Sequence, residues 1–356
     1  MVGSTLGNMT EQAANSTSKR IEYIDALRGF TMILVVVQHV ASFYFDVTVE
    51  SVSVHHYLQQ IRMPLFFFIS GFVFFKNDEY WNIGNATRFI KKKFIVQIIS
   101  PTLFMLLYVI YREAAIEDAL FSRYKYSYWF TYTLFQYFIF YLIAQQVIGI
   151  FKMKSPASDG ILLLFTLFVC LLSTDAVCNR LPWNSNVNEL LGTATWRHFI
   201  FFIAGVFARR YFRTVEKILD KTAIVPLCIV VYIVMNMFDN RSDTLTRILF
   251  YVTVGICGVI TVFATFRRYR KTVSGKNRFG QIMQFIGRRT LDIYLIHGFF
   301  MITPILGFIS DVSGINPIAE FFLSYIISLI IVAASIGVSS IIRLSPTAAR
   351  FLFGAK

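Results

Sequence analysis

The sequence predicts an all-helical integral membrane protein that crosses the bilayer about ten times. Of its 356 residues, 56% are hydrophobic and only 15% are charged, and the mean hydropathy is +0.60. The aromatic content includes 38 Phe and 18 Tyr. Long apolar segments also recur along the chain, separated by short polar connections. A soluble domain of this length does not need so much apolar surface, whereas a polytopic membrane protein does.

About ten apolar segments are long enough to cross a membrane. We place them at 22–44, 57–75, 93–111, 127–150, 160–176, 195–211, 222–238, 247–266, 285–309 and 318–342. The connecting loops stay below about twenty residues, which leaves no room for a separate soluble domain. We therefore expect one membrane domain at 20–345, with a disordered polar tail at 1–19 and a short cytoplasmic tail at 346–356.

The distribution of charge predicts the orientation of these segments. The formal net charge of +14 is carried by short Lys/Arg clusters in alternate loops, while the other loops are richer in Asp and Glu. Under the positive-inside rule the basic loops are cytoplasmic, and an even number of segments then places both termini there. The basic residues form no continuous face, so a nucleic-acid partner is not expected.

Cysteine usage and the first residues exclude two further classes of protein. The four cysteines form no CxxC pair and mostly lie inside apolar segments, so neither a zinc site nor a disulfide framework is predicted. The first twenty residues contain no apolar core and no small-residue cleavage site, so no signal peptide is predicted.

The first apolar segment carries ionisable side chains at two depths. Asp25 and Arg28 stand near its start, and His39 follows eleven residues after Arg28. On an α-helix these eleven steps make about three full turns, so Arg28 and His39 share one face about 16 Å apart. Ionisable groups within a membrane are costly and are therefore candidates for a functional site. The alternative is a histidine that only hydrogen-bonds a neighbouring helix.

Two more cationic features follow in the chain. Arg62 precedes a phenylalanine-rich run that ends with Ser70, and there it must find water, a carboxylate or a phosphate, or extend to the outer interface. Arg88 and Lys92 lie four residues apart on one helix face before the third segment. They could clamp the phosphates of a cytosolic cofactor, or serve only as a positive-inside anchor.

The ninth segment also carries ionisable groups beyond its cationic start. Asp292 could orient an imidazole or pair with a buried arginine. His297 is a site candidate, with a purely structural hydrogen bond as the alternative.

Aromatic residues crowd the start of the fourth segment. They predict an interfacial belt at its outer end or, alternatively, a platform on which a sugar stacks. They are Tyr124, Tyr126, Tyr128, Trp129, Tyr132, Tyr137 and Tyr141.

Together these motifs resemble the acyltransferase-3 family, whose members are integral membrane enzymes that O-acylate cell-surface glycans. The family's first helix opens with Tyr-x-Asp-x-Leu-Arg-Gly and carries Arg/Lys-x10-His. The residues that match it are Tyr23, Asp25, Arg28, Gly29 and His39. The second segment matches from Pro64 to Gly71, and the late Thr-x-x-Ile-Tyr-Leu-x-His pattern matches from Thr290 to His297. In place of the family's Arg-x-x-Arg pair before a proline, Pro101 here follows Gln97.

The resemblance implies an acyl-CoA donor, most often acetyl-CoA, and a hydroxyl acceptor on a surface polysaccharide or lipid-linked sugar. It implies that His39 is catalytic, as a general base or as an acyl carrier. Arg28 would hold a CoA phosphate or a pantetheine carbonyl, with Asp25 as its partner. The binding candidates beside them are Arg62, Ser70, Arg88, Lys92, Asp292 and His297. No metal is implied, and the expected location is the inner membrane of a bacterial cell.

Two other classes of function are consistent with part of this pattern. A proton-coupled transporter or flippase of a sugar-type substrate would also place His, Arg and Asp inside a helix bundle. It would usually show broken helices and repeat symmetry, which we do not find in the sequence. A scaffold or sensor would need no buried histidine.

Overall fold

The computed structural model describes residues 21–45, 47, 54–76, 81–122, 124–151, 157–174, 185–238, 243–301 and 316–354. Within these residues every regular element is a helix, which confirms the predicted all-α class. The tail predicted at 1–19 lies outside the described residues.

The first half of the described chain contains six helices and one short 3-10 turn at Lys125–Ser127. A π-turn at Ile95–Ile99 interrupts α3, so one extra residue is accommodated within that helix. The six helices are α1 (Glu22–Tyr44), α2 (Val54–Phe74), α3 (Ile83–Tyr111), α4 (Ile116–Leu120), α5 (Trp129–Ile150) and α6 (Ala157–Leu172).

The second half contains nine helices, and a 3-10 turn at Thr193–His198 leads into the second of them. These helices are α7 (Ser185–Leu191), α8 (Phe199–Arg210), α9 (Phe212–Leu219), α10 (Ile224–Met237), α11 (Thr244–Arg268), α12 (Arg278–Arg288), α13 (Thr290–Phe300), α14 (Pro317–Ile342) and α15 (Pro346–Phe353).

Five of the described helices are long and apolar enough to cross a membrane, namely α1, α3, α5, α11 and α14. A sixth crossing would combine α9 and α10, which are bent by 80° at the break between them. This number supports a multi-pass membrane protein. The predicted total of ten crossings and the cytoplasmic placement of both termini stay predictions.

Two predicted segments differ from the observed helices. The segment predicted at 93–111 begins at Ile83, because the Asn82 side chain caps the helix by accepting the N–H of Asn85 at 2.9 Å. The segment predicted at 285–309 is broken at Arg289, whose φ of −107° and ψ of 14° separate α12 from α13. The remainder of that segment beyond Met301 lies outside the described residues.

The helix α1 lies at the centre of the fold. It packs against α2, α11, α12, α13 and α14, and most of its side chains are buried. A helix that is apolar on nearly all faces is expected in such a position, because every face meets another helix rather than lipid. The buried polar side chains of α1 are Asp25, Thr31 and Gln38.

Pairs of glycines allow the closest helix crossings. A Cβ atom at Gly29 would lie closer than 3.0 Å to the Met283 carbonyl, and one at Gly287 would clash in the same way with the Asp25 carbonyl. Small residues permit this approach of two backbones, which strengthens van der Waals contact where lipid offers no hydrophobic drive between helices. The crossing joins α1 to α12 immediately beside Arg28.

Candidate functional site

Five residues singled out in the sequence line one cavity of about 630 Å³, which we name the basic cavity. They are Arg28 from α1, Ser70 from α2, Arg88 and Lys92 from α3, and Asp292 from α13. Asp292 is the one acidic side chain among the described lining residues, so positive charge predominates and the cavity suits a polyanionic ligand. The other cations of the lining are Lys76, Lys93, Arg288 and Arg343.

The periodicity of α3 brings its cations to one wall of the basic cavity. Arg88 and Lys92 are one helical turn apart and therefore face the same space. Lys93, beside them, lies over two aromatic rings, with its Nζ atom 5.7 Å from the centroid of Phe89 and 5.6 Å from that of Phe138. Cation–π contacts of this kind stabilise a charge that has little access to water.

Arg28 is oriented by contacts on both sides of the α1–α13 interface. Its Nη2 atom donates to the Thr290 hydroxyl at 3.1 Å, and its Nη1 atom lies 3.9 Å from a carboxylate oxygen of Asp25. Asp25 is buried, whereas the Arg28 side chain remains 32% exposed. The guanidinium is thus held in place while part of it still faces the basic cavity.

Asp292 is held by two arginines, and none of its hydrogen bonds to described residues involves an imidazole. Its oxygens accept hydrogen bonds from Arg343 Nε at 2.7 Å and Nη2 at 2.9 Å, and from Arg289 Nη1 at 3.1 Å. The Asp292 side chain is 2% exposed. These charge-assisted hydrogen bonds offset the loss of water that burial imposes on a charged side chain. Asp292 therefore joins α13 to the end of α14 at the cavity wall.

Ser70 presents only its acceptor side to the basic cavity. Its hydroxyl donates to the Phe66 carbonyl one turn earlier, at 2.8 Å. The hydroxyl proton is engaged in this bond, so Ser70 can accept a hydrogen bond from a ligand but is not placed as a free donor.

A second group of polar residues lies near the end of α1, which contributes only His39. We name it the histidine cluster, and its members are His39, His198, His297 and Arg62. The rings of His39 and His297 lie with centroids 5.3 Å apart. The Nδ1 atom of His297 approaches the carbonyls of Ile293 at 3.0 Å and Tyr294 at 2.9 Å. Because carbonyl oxygens only accept, Nδ1 carries the proton and Nε2 is left with a lone pair.

Arg62 is the charged member of the histidine cluster. Its guanidinium acts electrostatically on His39, His198 and His297. Its Nε and Nη1 atoms are buried and have no hydrogen-bond partner among the described residues. None of the described residues lining the basic cavity is His39, His297 or Arg62. The structure thus divides the predicted site residues between two places at different depths.

His198 belongs to the histidine cluster but was not singled out in the sequence. Its Nδ1 atom is hydrogen-bonded to the Tyr251 hydroxyl, and its ring stacks on Phe67 at 5.1 Å and Trp129 at 5.7 Å. The available signal was a histidine at the start of an apolar segment, directly after Arg197. The sequence does not show that the imidazole lies close enough to Arg62 to interact with it electrostatically, which depends on how the helices pack.

The basic cavity and the histidine cluster meet at Tyr294. This residue lines the basic cavity, and its ring centroid lies 6.2 Å from that of His297. Its hydroxyl donates to the Ser127 carbonyl at 2.7 Å and accepts from the Phe130 N–H at 3.1 Å. The three residues Lys125–Ser127 have φ angles of 43°, 49° and 76°, a strained region for residues other than glycine. Tyr294 therefore links the boundary between the two sites to a strained turn.

The aromatic residues of the fourth segment do not form one belt or one platform. Tyr137 and Tyr141 are fully buried in the hydrophobic core, and Tyr128 is 3% exposed. Tyr124 remains on the surface, and Trp129 packs against His198. The sequence prediction was wrong for the buried tyrosines, because an aromatic run has the same composition whether it faces lipid headgroups or a helix interface.

The fold and these two sites define a multi-helix membrane protein in which a basic ligand cavity adjoins a cluster of histidines. A family model described as an acyltransferase domain matches residues 21–337. The chain therefore belongs to the acyltransferase-3 family of membrane acyltransferases. Comparison with curated proteins and with solved structures finds no match in either set.

Among the described residues, no group of three or more His, Cys, Asp or Glu side chains comes together that could hold a metal ion. The prediction that the enzyme needs no metal stays a prediction.

Proposed function

We propose that this acyltransferase moves an acyl group, acetyl above all, from cytosolic acyl-CoA to a hydroxyl of a cell-surface or lipid-linked glycan. The observation that carries the proposal is the position of Arg28 and His39. Both lie on α1, one at the basic cavity and the other in the histidine cluster about three turns away.

The basic cavity suits the donor. CoA carries several phosphates. Arg88 and Lys92 both line the basic cavity, where their cationic side chains can donate charge-assisted hydrogen bonds to phosphate oxygens. Arg28 would bind a phosphate or a pantetheine carbonyl with the part of its guanidinium that Asp25 and Thr290 leave uncovered. In this assignment Asp25 positions Arg28 and does not itself touch the donor.

The histidine cluster suits the transfer step. His39 would take the proton from the acceptor hydroxyl as its oxygen attacks the thioester carbonyl. The new C–O bond forms, the C–S bond breaks, and the proton passes to the CoA thiolate. In the alternative route the His39 imidazole attacks the thioester first and then passes the acyl group to the hydroxyl. Both routes use the same residue and balance to the same products.

Arg62 and His297 have supporting roles in either route. The guanidinium of Arg62, whose Nε and Nη1 atoms have no hydrogen-bond partner in the described part of the chain, would stabilise the negative charge that develops on the thioester oxygen. The Nδ1 atom of His297 is engaged by backbone carbonyls, so the lone pair on Nε2 would accept a hydrogen bond from the acceptor or from His39.

The test is transfer of a labelled acetyl group from acetyl-CoA by purified protein in detergent. We expect CoA release by the wild type, loss of it in His39→Ala, and a raised KM in Arg28→Ala. Matched controls are His56→Ala and Arg247→Ala, which lie outside both sites and should keep full activity. Full activity in His39→Ala would remove His39 from the chemistry. If the wild type neither turns over nor binds any acyl-CoA, the transporter interpretation is favoured.

A further inference from the structure

Gln97 is a buried amide without a partner in the wall of the basic cavity. The side chain is 6% exposed, and its Oε1 atom has no hydrogen-bond partner among the described residues. No hydrogen bond between described residues ends on its Nε2 atom either. The orientation of the amide does not change this observation, since neither end has a hydrogen-bond partner in the part of the chain that the structure describes. A buried polar group left unpaired is destabilising, so an unpaired amide in a cavity wall points to a ligand that completes it.

The backbone around Gln97 forms a π-turn that packs against α15. Gln97 occupies the centre of the π-turn Ile95–Ile99, and such turns are found mostly as single insertions, frequently at functional sites. The helix α15, which follows the segment matched by the family model, packs against this turn. The Ser100 hydroxyl donates to the Leu352 carbonyl at 2.6 Å, and a Cβ atom at Gly354 would lie 2.8 Å from Val96 Cγ2. The backbone on both sides of Gln97 is therefore packed against α15 and the residue that follows it.

The position of Gln97 along α3 indicates which part of a donor it faces. It follows Lys92 by five residues, which corresponds to about 7.5 Å along the helix axis. An acyl-CoA molecule carries its phosphates toward one end and its thioester at the other, joined by an uncharged pantetheine arm with two amide groups. If Arg88 and Lys92 bind the phosphates, the next group along the helix toward the membrane interior is this arm.

We infer that Gln97 binds the pantetheine arm of the acyl donor, by accepting from an amide N–H or donating to an amide carbonyl. The inference rests on the proposed acyl-CoA donor. A glutamine amide can also pair with the edge of adenine. The adenine, however, lies on the phosphate side of the arm, away from the thioester and from the histidine cluster. A neutral amide is suited to an uncharged group, whereas the cations nearby are suited to phosphate.

The substitution Gln97→Met tests this role because it keeps the length of the side chain and removes both polar atoms. We expect the KM for acetyl-CoA to rise about three- to tenfold with kcat unchanged. The melting temperature without ligand should stay the same or rise, because an unpaired buried amide has been removed. The matched control is Gln281→Met on α12, where the glutamine is exposed, and it should leave KM and kcat unchanged.

Acetyl-pantetheine lacks the nucleotide, so it distinguishes a Gln97 contact with the pantetheine arm from a contact with adenine. Gln97→Met should raise its KM by the same factor as that of acetyl-CoA. A penalty seen with acetyl-CoA alone would assign the contact to adenine and overturn the inference. A lower melting temperature with unchanged KM would show a structural role and overturn it too. If the wild type turns over acetyl-CoA and Gln97→Met has the same KM and kcat, only the inference about Gln97 is wrong. If the wild type is inactive and binds no acyl-CoA, the proposed acyl-CoA donor is wrong as well.

Discussion

The rings of His39 and His297 face each other across α1 and α13, with centroids 5.3 Å apart and planes inclined by 40°. The Nδ1 atom of His297 is engaged by backbone carbonyls, so its ring is held in one orientation. The ring of His39 has no hydrogen-bond partner among the described residues and is half-buried. The pair thus consists of one fixed imidazole beside one that remains free to react.

This arrangement predicts that the two histidines act as a unit. His39→Ala should lower acyl transfer by about 10²- to 10⁴-fold, the range for loss of a positioned general base. His297→Ala should lower it less, and the double variant should be no slower than His39→Ala, because residues that act together are non-additive. Rates from a single-turnover assay would measure this. Additive losses in the double variant would contradict the prediction.

The pairing of Asp292 with Arg343 predicts a stability effect at the wall of the basic cavity. Arg343→Met should lower the melting temperature in detergent, because removing one partner of a buried pair costs up to about 3–5 kcal/mol. Arg289 remains to offset part of this cost. Arg343→Lys should be intermediate, since lysine cannot form the two parallel bonds. Arg350→Met, on the exposed side of α15, serves as the control, and an equal loss there would contradict this explanation.

The glycine crossing beside Arg28 predicts a coupled loss of stability and donor binding. Gly287→Ala should force α12 away from α1, because its Cβ atom would clash with the Asp25 carbonyl. The movement would displace Asp25 and Arg28, so both the melting temperature and the affinity for acyl-CoA should fall. Gly149→Ala is the matched control, because among the described residues no atom outside the adjacent helix backbone lies within 4 Å of the added Cβ. That variant should be neutral or more stable by up to about 1 kcal/mol. Similar losses in both variants would contradict a specific crossing.

The ammonium group of Lys125, in the loop before α5, should make the stability of the protein depend on pH. Its Nζ atom donates to the Leu120 carbonyl at 2.7 Å and the Glu189 carbonyl at 3.0 Å, and burial lowers the pKa of the ammonium group to about 8. In the unfolded chain the pKa of lysine is about 10.4, so the unfolded state binds more protons between these two values. Stability should therefore rise with pH across this window.

The measurement is the melting temperature of the wild type minus that of Lys125→Met, recorded at pH 7.5, 8.5 and 9.5. Subtracting the variant removes the titration of tyrosines and cysteines common to both proteins. The difference should increase with pH. A constant difference would show that Lys125 has an ordinary pKa in the folded protein.

Much of the fold could be predicted because hydropathy is a local property. The cores of the predicted segments coincide with helices wherever they are described, and the helical period placed Arg88 and Lys92 on one face. Boundaries were less predictable. A cap at Asn82 and a break at Arg289 depend on single side-chain and backbone contacts that the hydropathy of a window does not contain.

Several candidate site residues could be singled out from the sequence, but their division into two places and the presence of His198 could not. Arg28 and His39 stand out because charge inside an apolar segment is costly wherever the helix packs. That Asp292 pairs with Arg343, or that His198 stacks on Trp129, depends on contacts between helices far apart in the chain. Such contacts are decided by how ridges and small residues interlock.

The sequence by itself determined that this is a helical membrane protein with an ionisable first segment and the motifs of its family. These properties follow from composition, period and spacing, which any packing of the helices preserves. Only the tertiary structure decided that the cations form one cavity and that the histidines form another group. It also decided that the Gln97 amide lies at the basic cavity with no hydrogen-bond partner among the described residues. A polar side chain acquires its role from the groups that satisfy it or leave it unsatisfied, and these are known only once the helices have packed.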